Sequence, residues 1–298
     1  MRRFLALSRS THGILDVAMP GFTALLWLGH FPSWRVLLLS LITAVAGYTA
    51  IYALNDLVGV KADREKFALS GVNRGYSVEA SALRYPLAHN LLSVRSGAAW
   101  FGLWCVITLV GAYLLNPVIV AIVIAAAALE IIYCLLLKVT YWRTLVSGLV
   151  KSAGPIAAVF VVVPRPSWGL LLLLLAWLML WEIGGQNIPA DWNDVEQDRR
   201  VGAKTIPLVF GPRVAGVLVV VCLAVAVILS LLLPRMSPLA LGVPYLMASA
   251  VGGVLLLLLP AAQLSYSHTN RQAAKLFDRA SLYPLAQLAI VTVFVLIR

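Results

Sequence analysis

Asn55, Asp56 and Asp63 form one group of oxygen-bearing side chains, and Asp191, Asp194 and Asp198, in the string DWNDVEQD, form a second. The five aspartates are drawn from only twelve acidic residues in the chain, so their grouping stands out. Residues three and four apart share a helix face. Each group can therefore converge if its segment is helical, with Asp63 nearly two turns beyond Asp56. Facing one another, the two groups would make one acidic cup. Such oxygens suit magnesium, which keeps several waters and is held by one or two carboxylates together with substrate phosphate oxygens. Lys61, Arg64, Arg199, Arg200 and Lys204 lie beside the acids and suit the diphosphate oxygens that a metal leaves uncovered. A single charge run is more often a solvated loop, but two runs at equivalent positions are poorly explained that way.

The elements that must position these groups are apolar. The chain is 61% hydrophobic and 12% charged, with a mean hydropathy of +0.93, against roughly 25% charged for a soluble domain. A bilayer core about 30 Å thick needs about 20 apolar residues per helix. Nine segments qualify: 14–31, 36–58, 97–115, 117–137, 144–163, 168–190, 214–233, 238–263 and 281–297. The expected fold is thus an all-α polytopic bundle. The connections at 31–35, 116–117, 164–167 and 234–238 are short and carry proline, which ends helices. Long polar loops are expected on the other side, at 59–96, 191–213 and 264–280, and both acidic groups fall there because each follows an even-numbered span.

Basic residues set the orientation, since Lys and Arg near span ends stay on the cytoplasmic side. Most of the 23 Lys and Arg cluster at the amino terminus, in the long loops and in the short 138–143 turn, Lys66, Arg74 and Arg143 among them, while the other face has Arg35, Arg165, Arg235 and Arg298. The amino terminus and both acidic groups are expected on the cytoplasmic side, in a bacterial inner membrane, with the carboxyl terminus outside. The first apolar run has no clear small-residue cleavage site and reads as a retained helix. The net charge of +11 fits this topology and an anionic substrate; no nucleic-acid module is present. The placement of the acids suggests one transmembrane domain of pseudo-repeat halves, roughly 1–140 and 141–298. Cys105, Cys134 and Cys222 lie in apolar runs without ligand spacing and read as buried small hydrophobes.

Ionisable groups within spans are costly and commonly functional. Asp16, Glu130, Lys151 and Glu182 qualify, with Arg9 and His12 near the start of the first span. Arg9 or Lys151 could meet an acceptor carboxylate; internal ion pairing is the competing account. Gln186 and Asn187, one turn before the second group, could touch diphosphate or metal-bound water, or simply bond between helices. Tyr48, Tyr52, Tyr133, Trp181 and Trp192 could border the cup, although packing explains most membrane aromatics.

These residues resemble the UbiA superfamily of intramembrane prenyltransferases. Asn55, Asp56 and Asp63 are similar to its NDxxDxxxD signature, and Asp191, Asp194 and Asp198 to its DxxDxxxD signature. The nine-span plan, the GAKTIP segment, the LFDRASLYP stretch at 276–284 and, more loosely, Arg84-Tyr85-Pro86-Leu87 extend the likeness. The resemblance implies magnesium-dependent transfer of a prenyl group from a polyprenyl diphosphate to a small aromatic acceptor such as 4-hydroxybenzoate or a naphthoate, in a cavity open laterally to lipid. It implies that Asp56, Asp63, Asp191, Asp194 and Asp198 organise metal and diphosphate, assisted by Asn55, Asn187, Arg64, Arg199 and Lys204. One departure matters: Gly59 stands where the first signature has its middle aspartate. A weakened lipid-diphosphate-binding paralogue is therefore one alternative, with Asn193 and Glu196 as compensating groups if they point inward. A secondary transporter using the midplane charges is another.

Overall fold

The computed structural model describes residues 1–67 and 83–297, without the side chain of Phe67; Arg74 and Arg298 lie outside them. Every regular element among the described residues is a helix, with no strand. Among the described residues, eight helices are long and apolar enough to cross a membrane. The expected first span is also helical but broken, as α2 (Ser10–Asp16) and α3 (Ala18–Leu28), preceded by the short α1 (Arg2–Leu7). Met19, Phe22 and Leu26 of α3 are buried in the main core, so this broken rod packs as part of the bundle.

The chain then alternates in direction. Helix α4 (Trp34–Phe67) is followed by α5 (Val94–Leu115), α6 (Pro117–Leu135), α7 (Arg143–Val162) and α8 (Trp168–Glu182). The hairpin between α5 and α6 is a single residue, Asn116. Its side chain caps α6 by accepting from the Val118 N–H at 3.0 Å and donates to the Phe160 carbonyl at 2.9 Å, so the expected tight turn is also tied to α7. At 34 residues, α4 is about 51 Å long at 1.5 Å per residue. It outruns a hydrocarbon core of about 30 Å. Gly59, Asp63 and Lys66 therefore stand on helix with Asp56, not in the loop expected from residue 59, at the spacing of one helix face.

The second acidic group is positioned by an interrupted helix. After α8 comes one π turn, Ile183–Asn187, then α9 (Ile188–Asn193) and α10 (Val195–Arg200), parted at Asp194 (φ −98°, ψ 13°). The expectation of one regular helix carrying three aspartates is corrected here. Pro189 gives the physical reason: it has no N–H to bond the carbonyl four residues back, and its ring crowds that carbonyl. That residue is Gly185, inside the π turn. The same device recurs at Pro260, where a π turn over Val254–Leu258 divides α12 (Val243–Gly253) from α13 (Leu259–Ser267).

Between these, α11 (Ile206–Ser230) is kinked at Gly211, whose φ of 77° and ψ of 171° are non-helical. The straight apolar rod thus begins near residue 212, close to the expected 214. The expected polar loop 264–280 is largely absent. Helix α14 (Asn270–Leu296) starts two residues after His268, because Ala273, Ala274, Leu276, Phe277 and Ala280 are buried while Arg271, Lys275 and Arg279 face outward. That is an amphipathic helix entering the bundle, not a loop.

Candidate active site

A cavity of about 1120 Å³ runs between α2, α3, α4, α6 and α7 and is capped at one end by both acidic groups. Asn55, Asp63, Asn187, Asp191 and Asp194 line it directly, as does Gly59, with Arg9, Lys66, Arg84 and Arg143 among the acids. Its long walls are mostly aliphatic, including Ala44, Ile51, Ile122, Ala126 and Ala157.

Among the described residues, four of the five aspartates carry a cationic partner. Arg9 Nη2 lies 3.2 Å from Asp56 Oδ1, Lys66 Nζ 2.5 Å from Asp198 Oδ1, Arg84 Nη2 3.5 Å from Asp194 Oδ2, and Arg143 Nη1 3.2 Å from Asp191 Oδ1. The Lys66 and Arg84 pairs join the two halves of the chain. Arg9 also donates to Asn55 Oδ1 at 3.1 Å, and Asn55 Nδ2 donates to Glu130 Oε1 at 2.5 Å. Arg143 stacks 3.9 Å from the centroid of Tyr133, whose hydroxyl accepts from Asn187 Nδ2 at 3.1 Å. Arg84 lies 4.7 Å from the Tyr85 ring centroid and donates to its hydroxyl at 2.7 Å. Tyr85 and Arg9 both hold left-handed backbone, at φ 58° and 44°. Such conformations cost about 1–3 kcal/mol and cluster at functional sites. Burial pushes the Asp198 carboxyl up, against the pull of Lys66, and pushes the Tyr85 phenol up as well.

The cations are the larger surprise. Arg64 donates to Asn90 Oδ1 at 3.0 Å and to the Leu87 carbonyl. Arg199 pairs with Glu196 at 3.3 Å, both about two-thirds exposed, which also turns Glu196 away from the acids. Lys204 is exposed, with its backbone N–H on the Leu137 carbonyl at 2.7 Å. None of the three lines the cavity. Asn193 does lean inward, donating to Asp194 Oδ1 at 3.5 Å. Lys66 and Arg143 counted in the sequence only as orientation charges. A usable signal was available for each: Lys66 lies three residues beyond Asp63, one turn further along the same helix face, and Arg143 opens an apolar span where a charge is costly.

The residues present fit a divalent ion. Among the described residues, Asp191 Oδ2, Asp198 Oδ2 and Asn187 Oδ1 are buried without a hydrogen-bond partner, a costly condition for hard oxygens unless something else satisfies them. No three His, Cys, Asp or Glu side chains among the described residues are already drawn together as an ion cage.

A bundle of membrane-spanning helices, with buried aspartates and arginines drawn together at one end of a long, mostly apolar cavity, defines an integral membrane protein. Residues 17–285 match the model of the UbiA prenyltransferase family, and the chain belongs to that family. It is 25% identical, over 73% of its length and 72% of the relative's, to a 4-hydroxybenzoate octaprenyltransferase of Hydrogenovibrio crunogenus. Its fold is similar to a UbiA homologue from Aeropyrum pernix K1 (TM-score 0.76, 20% identity, 95% of this chain and 97% of that one). It is also similar to a UbiA homologue from Archaeoglobus fulgidus bound to DMAPP and Mg2+ (TM-score 0.67, 16% identity, 98% and 99%).

Proposed function

We propose that this protein transfers a prenyl group from a polyprenyl diphosphate to a small aromatic acceptor of the quinone-precursor type, releasing diphosphate, with Mg2+ as cofactor. The observation that carries this reading is that residues of both acidic groups, Asn55 and Asp63 from one and Asp191 and Asp194 from the other, meet at one end of a single, mostly apolar cavity. Asp56, Asp63, Asp191, Asp194 and Asp198, with Asn55 and Asn187, would hold metal and the diphosphate it binds. When bound, the metal neutralises the leaving diphosphate and favours ionisation of the allylic carbon. Arg9, Lys66, Arg84 and Arg143 now neutralise aspartates. They stand where they would take diphosphate oxygens once the carboxylates turn to the metal, without large movement. The aliphatic walls would hold the isoprenoid tail and keep water from the cation. The acid end would face the cytoplasm in an inner membrane, following the basic residues. Five aspartates concentrated at one end, beside cations, favour an enzyme over a transporter that needs access from both faces.

Asp194 is the residue to test, since it breaks the helix between α9 and α10 and joins Arg84 to the site. In purified protein, Asp194→Ala is expected to abolish diphosphate release from a polyprenyl diphosphate with magnesium and an aromatic acceptor, while leaving the protein folded and monodisperse. Full retained turnover would overturn the reading.

A further inference from the structure

One helical turn or more below the aspartates lies a second polar tier that the metal and diphosphate leave unused. It is built by His12, Tyr48, Tyr52, Ser147, Lys151 and Glu182, all of which line the cavity. Asp16 underlies them. Lys151 Nζ is 2.7 Å from Asp16 Oδ2 and 3.0 Å from the Tyr52 hydroxyl. Tyr52 in turn donates to Asp16. His12 Nε2 is 3.3 Å from Lys151 and 3.6 Å from Asp16 Oδ1. Phe277 stacks on His12 at 5.3 Å. The Cβ of any residue replacing Gly154 would lie 2.7 Å from the Tyr48 hydroxyl, so the glycine makes room for that group. Glu182 is 6% exposed. Its Oε1 accepts from Ser147 at 2.7 Å, and among the described residues its Oε2 is buried with no hydrogen-bond partner.

Resting on the prenyl-transfer reading, we propose that this tier is the acceptor site, and that it takes an uncharged hydroxyl-bearing ring whose O–H donates to Glu182 Oε2, not an aromatic carboxylate. Among the described residues the tier's lysine, Lys151, is already held by Asp16, His12 stands against the same carboxylate, and Glu182 and Glu130 add two further acids facing the same space. Ionised or protonated, Glu182 supplies no positive charge. The nearest cation above, Arg9, is bound to Asn55 and Asp56. A carboxylate would enter as a buried anion with no uncommitted cation among the described residues, which is strongly disfavoured. A hydroxyl would instead satisfy the one orphaned oxygen there. Tyr48, Tyr52, His12 and Phe277 supply faces for its ring. The position also suits the reaction, because a ring at this depth would lie below a diphosphate held among the aspartates, on the side where the apolar walls begin.

The test compares 4-hydroxybenzoate with its methyl ester, which has the same ring and hydroxyl but no charge. The purified full chain is supplied with geranyl diphosphate and magnesium, and both diphosphate release and prenylated product are measured. The expected result is a kcat/KM at least about tenfold higher for the ester. Glu182→Gln should raise the KM for the ester about tenfold, the scale of one hydrogen bond to a charged group, without changing the KM for geranyl diphosphate. A preference for the free acid, or an unchanged ester KM in a folded Glu182→Gln protein, overturns the inference while leaving prenyl transfer in place. The wild-type comparison decides the charge question even if the variant fails to fold. No diphosphate release with either compound, or with longer diphosphates, overturns the prenyl-transfer reading and the acceptor inference with it.

Discussion

Gly59 is the residue whose absence of a side chain says most about the site. It faces the cavity between Asp56 and Asp63, and a Cβ placed there would lie 3.1 Å from Asp63 Oδ2. The contact is with the end of a flexible carboxylate, so an aspartate can be accommodated by a small rotation. It would then set two like charges about one turn apart in a buried site, which is unfavourable unless a cation lies between them. Gly59→Asp is therefore expected to lower thermal stability in chelator and to raise it on adding magnesium. It should also reduce the magnesium concentration for half-maximal turnover several-fold. Melting curves with and without magnesium, together with a magnesium titration of activity, check both halves. An unchanged metal dependence would show that the glycine is neutral and that the remaining oxygens already meet the ion's needs.

The turn at Ile183–Asn187 aims the second group of aspartates, and its two glycines explain how it fits. A Cβ at Gly184 would lie 2.9 Å from both Cys222 Cβ and Leu223 Cγ and 3.1 Å from the Val219 carbonyl, all on α11. One at Gly185 would lie 2.8 Å from Ala280 Cβ on α14. Backbone is among the obstacles at Gly184, so rotamer change cannot relieve a larger residue. Gly184→Val is expected to push α11 away, destabilise the protein by about 1–3 kcal/mol, and reduce turnover by displacing Asp191 and Asp194. A thermal-shift series with Gly184→Ala as the milder member would show the graded effect. The sequence made the acids legible because aspartates at helical spacing after apolar runs are rare, and it made the spans legible because their length is set by the bilayer. It hid the π turn, since a glycine pair in a membrane helix reads simply as close packing. It also hid which cations pair with the acids. Whether Arg64 or Lys66 turns inward depends on the phase of a helix that was read as ending before either, and Arg143 reaches Asp191 only through a contact 48 positions away.

At the scale of the whole molecule, the cavity is long in the direction the bundle is long. Lys66 and Val36 both line it and lie about thirty residues apart on α4. That separation is about 45 Å along the helix axis, more than the hydrocarbon thickness of about 30 Å. A tail anchored by its diphosphate at the acid end can therefore run the full depth of the bundle, and chain length would be read by side chains far from the chemistry. Ala157 is well placed to show this. It lines the cavity from α7, fourteen residues beyond Arg143 in the same helix and so about 21 Å from the acids. Ala157→Trp would fill the cavity at that depth while leaving the acid end open. Turnover with long polyprenyl diphosphates is expected to fall about tenfold or more, the scale on which apolar pockets discriminate size. Dimethylallyl diphosphate, which ends well short of the obstruction, should lose far less. Competition between short and long donors in one reaction, read by mass of product, measures the ratio directly. An equal loss for both would mean that the tail leaves the bundle near the acid end and lies in lipid, with the deep cavity serving something else.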